Sequence, residues 1–290
     1  MDTKKFRFIA LAAGLFCTAG VASAAAVTVY SNNPLPGDSF TNPGASNAGQ
    51  AVESDWYYNN VRNSGIVGIS NDLPRSGNGS ARMQTTLGPA SPSSKADIEL
   101  LPQAILFSGN YFSGASLGKL SELTSLSYEW YRKSTSTNNA VQHPVIRILT
   151  DADGDLNTTD DRGGLVFELA YNGVPTAPTD TWVANSVIDF YGPGQHARLW
   201  SFGNGQSFEF GGYQPLETWV AGLGTISGNS AVIGFSMGVG SGWGPFDGAV
   251  DNVTIGFNGG ATTYNFEVVP EPASLSVLAL GAMGLLRRRR

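Results

Sequence analysis

The segment VTIGFNGGATTYNFEV, residues Val253–Val268, contains two short apolar runs with a turn signal between them. Apolar side chains recur at every second position in both runs: Val253, Ile255 and Phe257, then Tyr264, Phe266 and Val268. The Asn258-Gly259-Gly260 stretch between the runs favours the positive φ angles that a tight hairpin turn requires. Because a period of two is typical of a strand with one buried face, the segment predicts an antiparallel β hairpin.

The rest of the central chain repeats this pattern. The 37 glycines and 15 prolines interrupt the sequence often, and apolar residues come in short alternating runs without long stretches of helical period. We expect strands at Leu123–Tyr131, Val145–Thr150, Leu165–Ala170, Ala231–Val239, Ala249–Phe257 and Thr262–Val268. Leu117–Leu123 favours a short helical turn, whereas Glu99–Phe107 is ambiguous. The pattern predicts an all-β fold of about ten to fourteen strands, an antiparallel two-sheet β-sandwich of the jelly-roll or lectin-like kind.

The N-terminal residues predict export. Three basic residues, Lys4, Lys5 and Arg7, precede the apolar run Phe8–Gly20. Ala22-Ser23-Ala24 follows as a small-x-small cleavage signature, so residues 1–24 are interpreted as a helical secretory signal peptide. This interpretation implies two partners, the Sec-type export machinery and signal peptidase. With no fixed internal repeat and no strong linker, residues 25–268 are predicted to form a single domain.

The C-terminal residues predict a temporary membrane anchor. Ala273–Leu286 spans 14 residues, which as a helix reach about 21 Å, less than the roughly 30 Å of a hydrocarbon core. The arginines that follow favour the cytoplasmic side, with the body outside. We therefore expect a short hydrophobic helix that holds the chain transiently at the inner membrane.

The same tail resembles a known sorting signal. Pro270, Glu271 and Pro272, the apolar stretch and the terminal cluster Arg287, Arg288, Arg289 and Arg290 resemble the PEP-CTERM signal of Gram-negative bacteria. The resemblance covers residues 269–290 and implies recognition and cleavage by an exosortase. It further implies an association with exopolysaccharide and biofilm, and a destination at the cell surface or in the extracellular matrix.

The net charge of the exported body argues against two kinds of partner. The two terminal signals contain seven of the 17 basic residues, namely Lys4, Lys5, Arg7 and Arg287–Arg290, and one of the 23 acidic residues, Asp2. The body therefore keeps 10 basic and 22 acidic residues, which gives it a net charge near −12. This charge argues against nucleic acid and anionic membrane surfaces, and favours solubility and attraction for cations. Cys17 lies in the signal segment, so the mature chain has no cysteine for a disulfide.

The densest polar segment is TDADGDLNTTDDRGG, Thr150–Gly164. Calcium prefers six to eight oxygen ligands and tolerates irregular geometry, so the segment is a candidate structural calcium site with these donors: Asp151, Asp153, Asp155, Asn157, Asp160 and Asp161. It resembles the acidic loops of EF-hands and dockerins, but Leu156 replaces their glycine and Arg162 replaces their final glutamate. The alternative is a solvated acidic connection between two strands. Asp247, Asp251 and Asn252 form a second possible ion site, for which a turn cap is the favoured interpretation.

Two tryptophans are candidates for carbohydrate binding. Indole rings stack on the apolar faces of sugars, and both Trp182 and Trp243 are expected in exposed loops. Trp130 alternates with Leu126 and Tyr128 and is assigned to the core. The stretches Tyr128–Tyr131, Val166–Glu168 and Phe246–Val253 loosely resemble strands of secreted bacterial jelly rolls, many of which bind sugars. That resemblance supports the fold more than the function.

Catalysis has little support in the sequence. The mature chain contains no His-Glu-x-x-His motif. The Gly-x-Ser-x-Gly spacing occurs at Gly114–Gly118 and Gly234–Gly238, but the first does not directly follow an expected strand and the second lies inside the expected strand Ala231–Val239, so no nucleophile elbow is predicted. His143 and His196 are interpreted as ordinary surface histidines. Glu129 and Glu168 lie on expected strands, but the many acidic residues make any single pair uninformative. We predict a non-enzymatic, matrix-associated protein linked to polysaccharide. The alternatives are a calcium-dependent lectin and a polysaccharide-cleaving glycosidase.

Overall fold

The alternation within Val253–Val268 produces the hairpin that the sequence predicts. In β18 (Phe246–Phe257) and β19 (Gly260–Val269), Val253 lies opposite Tyr264. Asn258 and Gly259 have φ angles of 52° and 82°, the positive values that a two-residue turn between right-twisted strands requires. Val253 and Phe266 are fully buried, so one face of the hairpin lies in the core as predicted.

The computed structural model describes residues 24–85, 93–242 and 244–271. The other strands in these ranges are β1 (Ala25–Pro34), β2 (Phe40–Asn42), β3 (Ala48–Ala51), β4 (Trp56–Arg62), β5 (Gly65–Ser70), β6 (Ser80–Thr85), β7 (Lys95–Leu100), β8 (Ile105–Phe107), β9 (Asn110–Phe112), β10 (Gly118–Lys119), β11 (Leu123–Arg132), β12 (Val145–Asp151), β13 (Arg162–Phe167), β14 (Trp182–Ser186), β15 (Arg198–Gly203), β16 (Gln214–Pro215) and β17 (Ala231–Val239). A short helix, α1 (Leu216–Gly222), and two 3-10 turns, Leu120–Glu122 and Leu169–Asn172, complete the described elements.

The strands form two large sheets and one small hairpin. The smaller sheet has the order β1-β19-β18-β6-β5-β2, with β11 on β18 and β14 on β11. The larger sheet has the order β16-β15-β13-β12-β17-β7-β4-β3, with β10 on β17, while β8 and β9 pair separately. Only β1 and β19 pair in parallel among the described strands, with Val29 opposite Phe266. The all-β, antiparallel two-sheet prediction is confirmed.

Side chains from both sheets form a shared hydrophobic core. Trp56 of the larger sheet meets the ring of Phe266 of the smaller sheet edge-on, at 4.9 Å between centroids. Trp130 is fully buried, as predicted, and stacks on His143 at 4.9 Å. Contacts of this kind between large rings fix the two sheets face to face.

Several strand predictions need adjustment. The predicted strand Leu165–Ala170 ends at Phe167, because Leu169 begins a 3-10 turn whose backbone N–H donates to Nε2 of His143 at 3.0 Å. Nineteen strands are found in the described ranges, more than expected, since strands of two or three residues such as β10 and β16 are too short to show alternation. The predicted signal helix and the predicted C-terminal hydrophobic helix lie outside the described residues.

Candidate functional site

The outer face of the larger sheet forms the floor of a groove. Only alternate residues of a strand can face the core, yet every residue of β7 and β17 is buried. Something other than the second sheet must therefore cover the outer face of these two central strands. The covering walls include Phe208, Glu209 and the segment Gly240–Gly242, and the cavity between them has a volume of about 670 Å³.

The strand register lines up one row of side chains across this floor. Proceeding from β15 through β13, β12, β17 and β7 to β4, the paired residues are Trp200, Val166, Arg147, Ser236, Glu99 and Tyr57. At about 4.8 Å per strand, five steps give a row roughly 24 Å long. The first five residues of the row line the cavity, whereas the ring of Tyr57 packs on Tyr111 at 4.4 Å, so the floor of the groove is about 19 Å long. A floor of this length can accommodate an extended chain molecule as well as a small ligand.

A buried ion cluster lies at the centre of the floor. Asp97 is fully buried and pairs with two cations, Lys95 (Nζ to Oδ2, 2.6 Å) and Arg147 (Nη1 to Oδ1, 3.2 Å). The adjacent strand carries Gly238, where a Cβ atom would lie 1.6 Å from Oδ1 of Asp97. Burial, together with the positive charge of Arg147, lowers the pKa of Lys95 to about 8. The cluster thus requires a glycine beside it, and its charged groups are largely shielded from solvent.

Two further carboxyl groups line the groove. Glu99 is 6% exposed and accepts a hydrogen bond from Nδ2 of Asn59 at 2.7 Å. Burial raises the pKa of Glu99, and the negative charge of Asp97 adds to the effect. Burial also raises the pKa of Glu168, which Arg147 opposes and Glu209 reinforces. Both groups therefore gain from a positive or hydrogen-bonding partner inside the groove.

Aromatic rings surround one end of the groove. The ring of Trp200 lies 5.0 Å from that of Phe208, which is 68% exposed. Tyr171 and Tyr213 stack nearly parallel at 3.8 Å. These rings offer apolar faces at the end of a charged floor, a combination suited to ligands with both apolar faces and polar edges, such as sugars.

The two tryptophans singled out in the sequence do not line this groove in the described structure. Trp182 is half-buried in β14 of the smaller sheet, 5.6 Å from the ring of Tyr131, with the guanidinium of Arg75 6.0 Å from its centroid. Trp243 lies outside the described residues. Trp200 was missed because it sits in a strand. A signal for it was present in the sequence, because Trp200 and Phe202 alternate with Leu199 and Ser201. Leu199 and Ser201 are buried in the structure, so large apolar rings on the opposite face indicate a strand that is covered on both faces.

The acidic loop brings three of its six candidate ligand residues together. Asp151, Asp153 and Asp161 each offer a carboxylate oxygen, and these atoms lie within 4.8 Å of one another. Asp155 instead accepts two hydrogen bonds from Asn157, at 3.1 Å from the backbone N and 2.7 Å from Nδ2. Asp160 and Asn157 are not part of the three-carboxylate group. Three carboxylates of the loop thus converge, while Asp155 and Asn157 form a local turn.

The converged group is only partly neutralised. Nε of Arg162 lies 3.2 Å from Oδ2 of Asp151, and the backbone N–H of Gly154 donates to Oδ1 of the same carboxylate at 3.0 Å. Oδ1 of Asp161 is buried and has no hydrogen-bond partner among the described residues. Burial raises the pKa of Asp151, which Arg162 opposes. Three acidic side chains beside one basic side chain leave a net negative charge, which favours the binding of one more cation.

The second possible ion site is dispersed. Asp247 pairs with Arg82 at 2.7 Å, and Asn252 donates to Ser76 and Glu129. Asp251 is fully buried and accepts the backbone N–H of Phe266 at 2.8 Å through Oδ1. Asp251 therefore accepts the N–H of a strand residue, not of a turn residue as the favoured interpretation had it.

One histidine prediction is wrong. His143 is 1% exposed and lies between Trp130 and the peptide N–H of Leu169, since its ring both stacks and accepts a hydrogen bond there. Burial lowers the pKa of His143 to about 4, so the ring is neutral near pH 7. His196, by contrast, lies near the surface, with Nδ1 2.6 Å from Oε2 of Glu217.

The C-terminal end of the described chain leads out of the smaller sheet. Pro270 and Glu271 follow β19 directly, while Pro272 and the arginines Arg287–Arg290 lie outside the described residues. None of the helices in the described ranges combines the length and apolarity that a membrane crossing needs.

Comparison with known proteins identifies the tail. Residues 268–290 match the PEP-CTERM protein-sorting motif. No curated protein matches the chain. The motif marks an exported protein that an exosortase sorts through a membrane-anchoring C-terminal signal.

Proposed function

We propose that this exported protein binds polysaccharide in the groove of its larger sheet without cleaving it, at the surface or in the extracellular matrix of a Gram-negative bacterium. The observation that carries the proposal is the transverse row, in which Trp200 ends a floor containing Arg147, Ser236 and Glu99. An aromatic platform beside fixed hydrogen-bonding groups is the usual means of holding a sugar ring. The sorting motif supports an exported setting. The link with exopolysaccharide and biofilm comes from the resemblance of the tail to PEP-CTERM signals and is part of the proposal.

The spacing of Glu99 and Glu168 argues against hydrolysis by that pair. Glycosidases place two carboxyl groups about 5 to 9.5 Å apart across the bond that they cleave. Glu168 directly follows β13, and Glu99 lies on β7, three strands away in the sheet. Three strand spacings place their backbones roughly 14 Å apart. Asp97 and Glu99 lie on one strand and face the same side of the groove.

The proposal is tested by Trp200→Ala. We expect the mature protein to bind the exopolysaccharide of its producing bacterium in affinity electrophoresis, and the variant to bind about 30-fold more weakly, as for loss of an aromatic hot spot worth about 2 kcal/mol. Trp182→Ala is the matched control, because it removes a half-buried indole from the other sheet. Equal binding by the Trp200 variant and the wild type would refute the groove, and a selective loss in the Trp182 variant would favour the site predicted from sequence.

A second candidate function, calcium-dependent binding, is favoured by the convergence of Asp151, Asp153 and Asp161. An ion there would cross-link the two ends of the loop between β12 and β13. Since β12 carries Arg147 and β13 carries Val166, the ion would stiffen the strands that form the groove floor. Calcium would then act on sugar binding through stability, without touching the sugar.

Chelation should therefore lower the melting temperature. With calcium at about 100 times its dissociation constant, the ion adds about 2.7 kcal/mol, or roughly 5 to 10 °C for a chain of this size. Differential scanning fluorimetry with EDTA, and then with excess calcium, measures the loss and its recovery. Asp161→Asn should abolish the response, whereas Asp160→Asn should retain it because Asp160 lies outside the converged group. A melting temperature that changes with neither EDTA nor calcium would exclude a stabilising calcium ion in this loop.

A further inference from the structure

The charges of the groove identify a class of ligand. Both cations on the floor are already engaged, since Lys95 and Arg147 pair with the same buried carboxylate, Asp97. Asn60 adds a hydrogen bond to this carboxylate at 3.0 Å, and Arg147 also donates to Oγ of Ser236 at 3.2 Å. These contacts hold the cations in place and leave them little capacity to attract an anionic ligand.

The acids of the groove outnumber its bases. Besides Asp97, the lining includes the carboxyl groups of Glu99, Glu168 and Glu209, against the two cations. The described hydrogen bonds of the Glu99 carboxylate come from neutral donors, and no hydrogen bond to the Glu168 carboxylate is found among the described residues. Four acids and two cations leave the groove with a net negative charge, whose field the low-dielectric walls strengthen.

One acid of the groove lies close to its aromatic rings. Glu168 lies in the same groove as Trp200, Tyr171 and Phe208, so one ligand can meet a ring face and a carboxylate together. A sugar that stacks on an indole presents its ring substituents sideways, toward neighbouring polar groups. A cationic substituent in that position would gain a charge-assisted hydrogen bond, whereas a carboxylate would meet repulsion.

From this geometry we infer that the groove selects a polysaccharide with free amino groups, such as a partly or fully deacetylated hexosamine polymer, and rejects uronic acid polymers. The inference rests on the proposed polysaccharide binding and adds the chemical class of the sugar. The ammonium group of the stacked sugar pairs with Glu168, which lines the same groove as Trp200. Stacking on Trp200 supplies affinity that does not depend on the charge of the sugar.

Three oligosaccharide probes of equal length test the inference by isothermal titration calorimetry at about pH 6: β-1,4-linked glucosamine, its N-acetylated form, and a uronic acid oligomer. We expect the purified mature protein to bind the amino form at least tenfold more tightly than the acetylated form, and to bind the uronic acid form least. Because the preference is ionic, it should shrink as salt is raised. It should also grow as pH rises and the carboxyl groups ionise, which burial shifts to higher pH by raising the pKa values of Glu99 and Glu168.

Variants separate the inference from the proposed function. Glu168→Gln should remove the preference for the amino form while retaining binding of the acetylated form. Glu217→Gln is the control, because Glu217 is an exposed acid outside the groove lining, and it should behave like the wild type. Equal affinity for the amino and acetylated forms, or preference for the uronic acid form, would overturn the inference while the proposed function stands. Failure to bind any probe or the native exopolysaccharide would overturn both.

Discussion

Asp97→Asn should lower the free energy of unfolding by about 3 to 5 kcal/mol, the usual cost of removing one partner from a buried ion pair. Asp97 is fully buried, and it is the carboxylate that Lys95 and Arg147 share. The amide of asparagine has almost the same shape as the carboxylate, so the loss measures charge more than packing. Two cations would remain on the groove floor without their common counter-ion.

The loss should also depend on pH. Lys95 already has its pKa lowered to about 8 by burial and by Arg147, and removal of Asp97 lowers it further. Above about pH 8 the amine is largely neutral in both proteins, so the lost pair matters less there. We therefore expect a larger difference between wild type and variant at about pH 6 than at about pH 9.

Urea denaturation followed by tryptophan fluorescence measures both effects, and the corresponding fall in melting temperature is about 6 to 20 °C. Asp72→Asn is the control, because Asp72 pairs with Arg82 while its side chain is 52% exposed. Surface pairs contribute about 0 to 1 kcal/mol, so this control should unfold almost as the wild type does. If the two variants were equally stable, the ion cluster would not contribute to the stability of the fold.

The parts of the fold that the sequence predicts are those set by local pattern. Asn258-Gly259 specifies a turn with two positive φ angles, and the alternation on either side specifies which face is buried. The strand Ala231–Val239 is found with the predicted bounds. Trp130 lies in the core because its neighbours at every second position, Tyr128 and Leu126, are also buried.

The groove could not be predicted in this way, because its walls come from distant segments. In β7, Lys95, Asp97 and Glu99 alternate with Ala96, Ile98 and Leu100, a pattern that normally indicates one core face and one solvent face. Both faces are buried here. The residues that cover the charged face, among them Phe208 and Gly240, are more than a hundred positions away in sequence.

The acidic loop lies between these two cases. Its composition marks a polar connection, and the sequence correctly places it between two strands. Which oxygens converge depends on the path of the chain, however. Asp155 forms a local turn with Asn157, while Asp161 folds back so that its Oδ2 accepts the backbone N–H of Asp153 at 2.7 Å. Local turns of this kind compete with ion binding for the same carboxylates.

Stability should fall as pH rises because of Asp251. This carboxyl group is fully buried where β18 leaves β6 and begins to pair with β19, and its Oδ2 has no hydrogen-bond partner among the described residues. Burial raises the pKa of Asp251 to about 8, and the nearby carboxylates of Glu267 and Glu129 act in the same direction. Between about pH 4 and 8, the folded chain therefore holds a proton that the unfolded chain releases.

The sign and size follow from proton linkage. The stabilising contribution of Asp251 is complete below about pH 4 and is lost as pH rises to about 8, by on the order of 5 kcal/mol if the whole shift is expressed. His143 acts in the opposite sense: burial lowers its pKa to about 4, so its contribution is present above about pH 6.5 and is lost as pH falls. The wild-type curve combines both effects, and a variant is needed to separate them.

Asp251→Asn isolates the contribution, because an amide resembles the protonated acid and cannot ionise. We expect the variant to match the wild type near pH 4 and to become progressively more stable than it toward pH 8, in urea denaturation at intervals across this range. Asp160→Asn makes the same charge change at an exposed position and should follow the wild type throughout. A constant difference between the Asp251 variant and the wild type at every pH would mean that Asp251 ionises normally in the fold. The strand junction would then tolerate a buried negative charge.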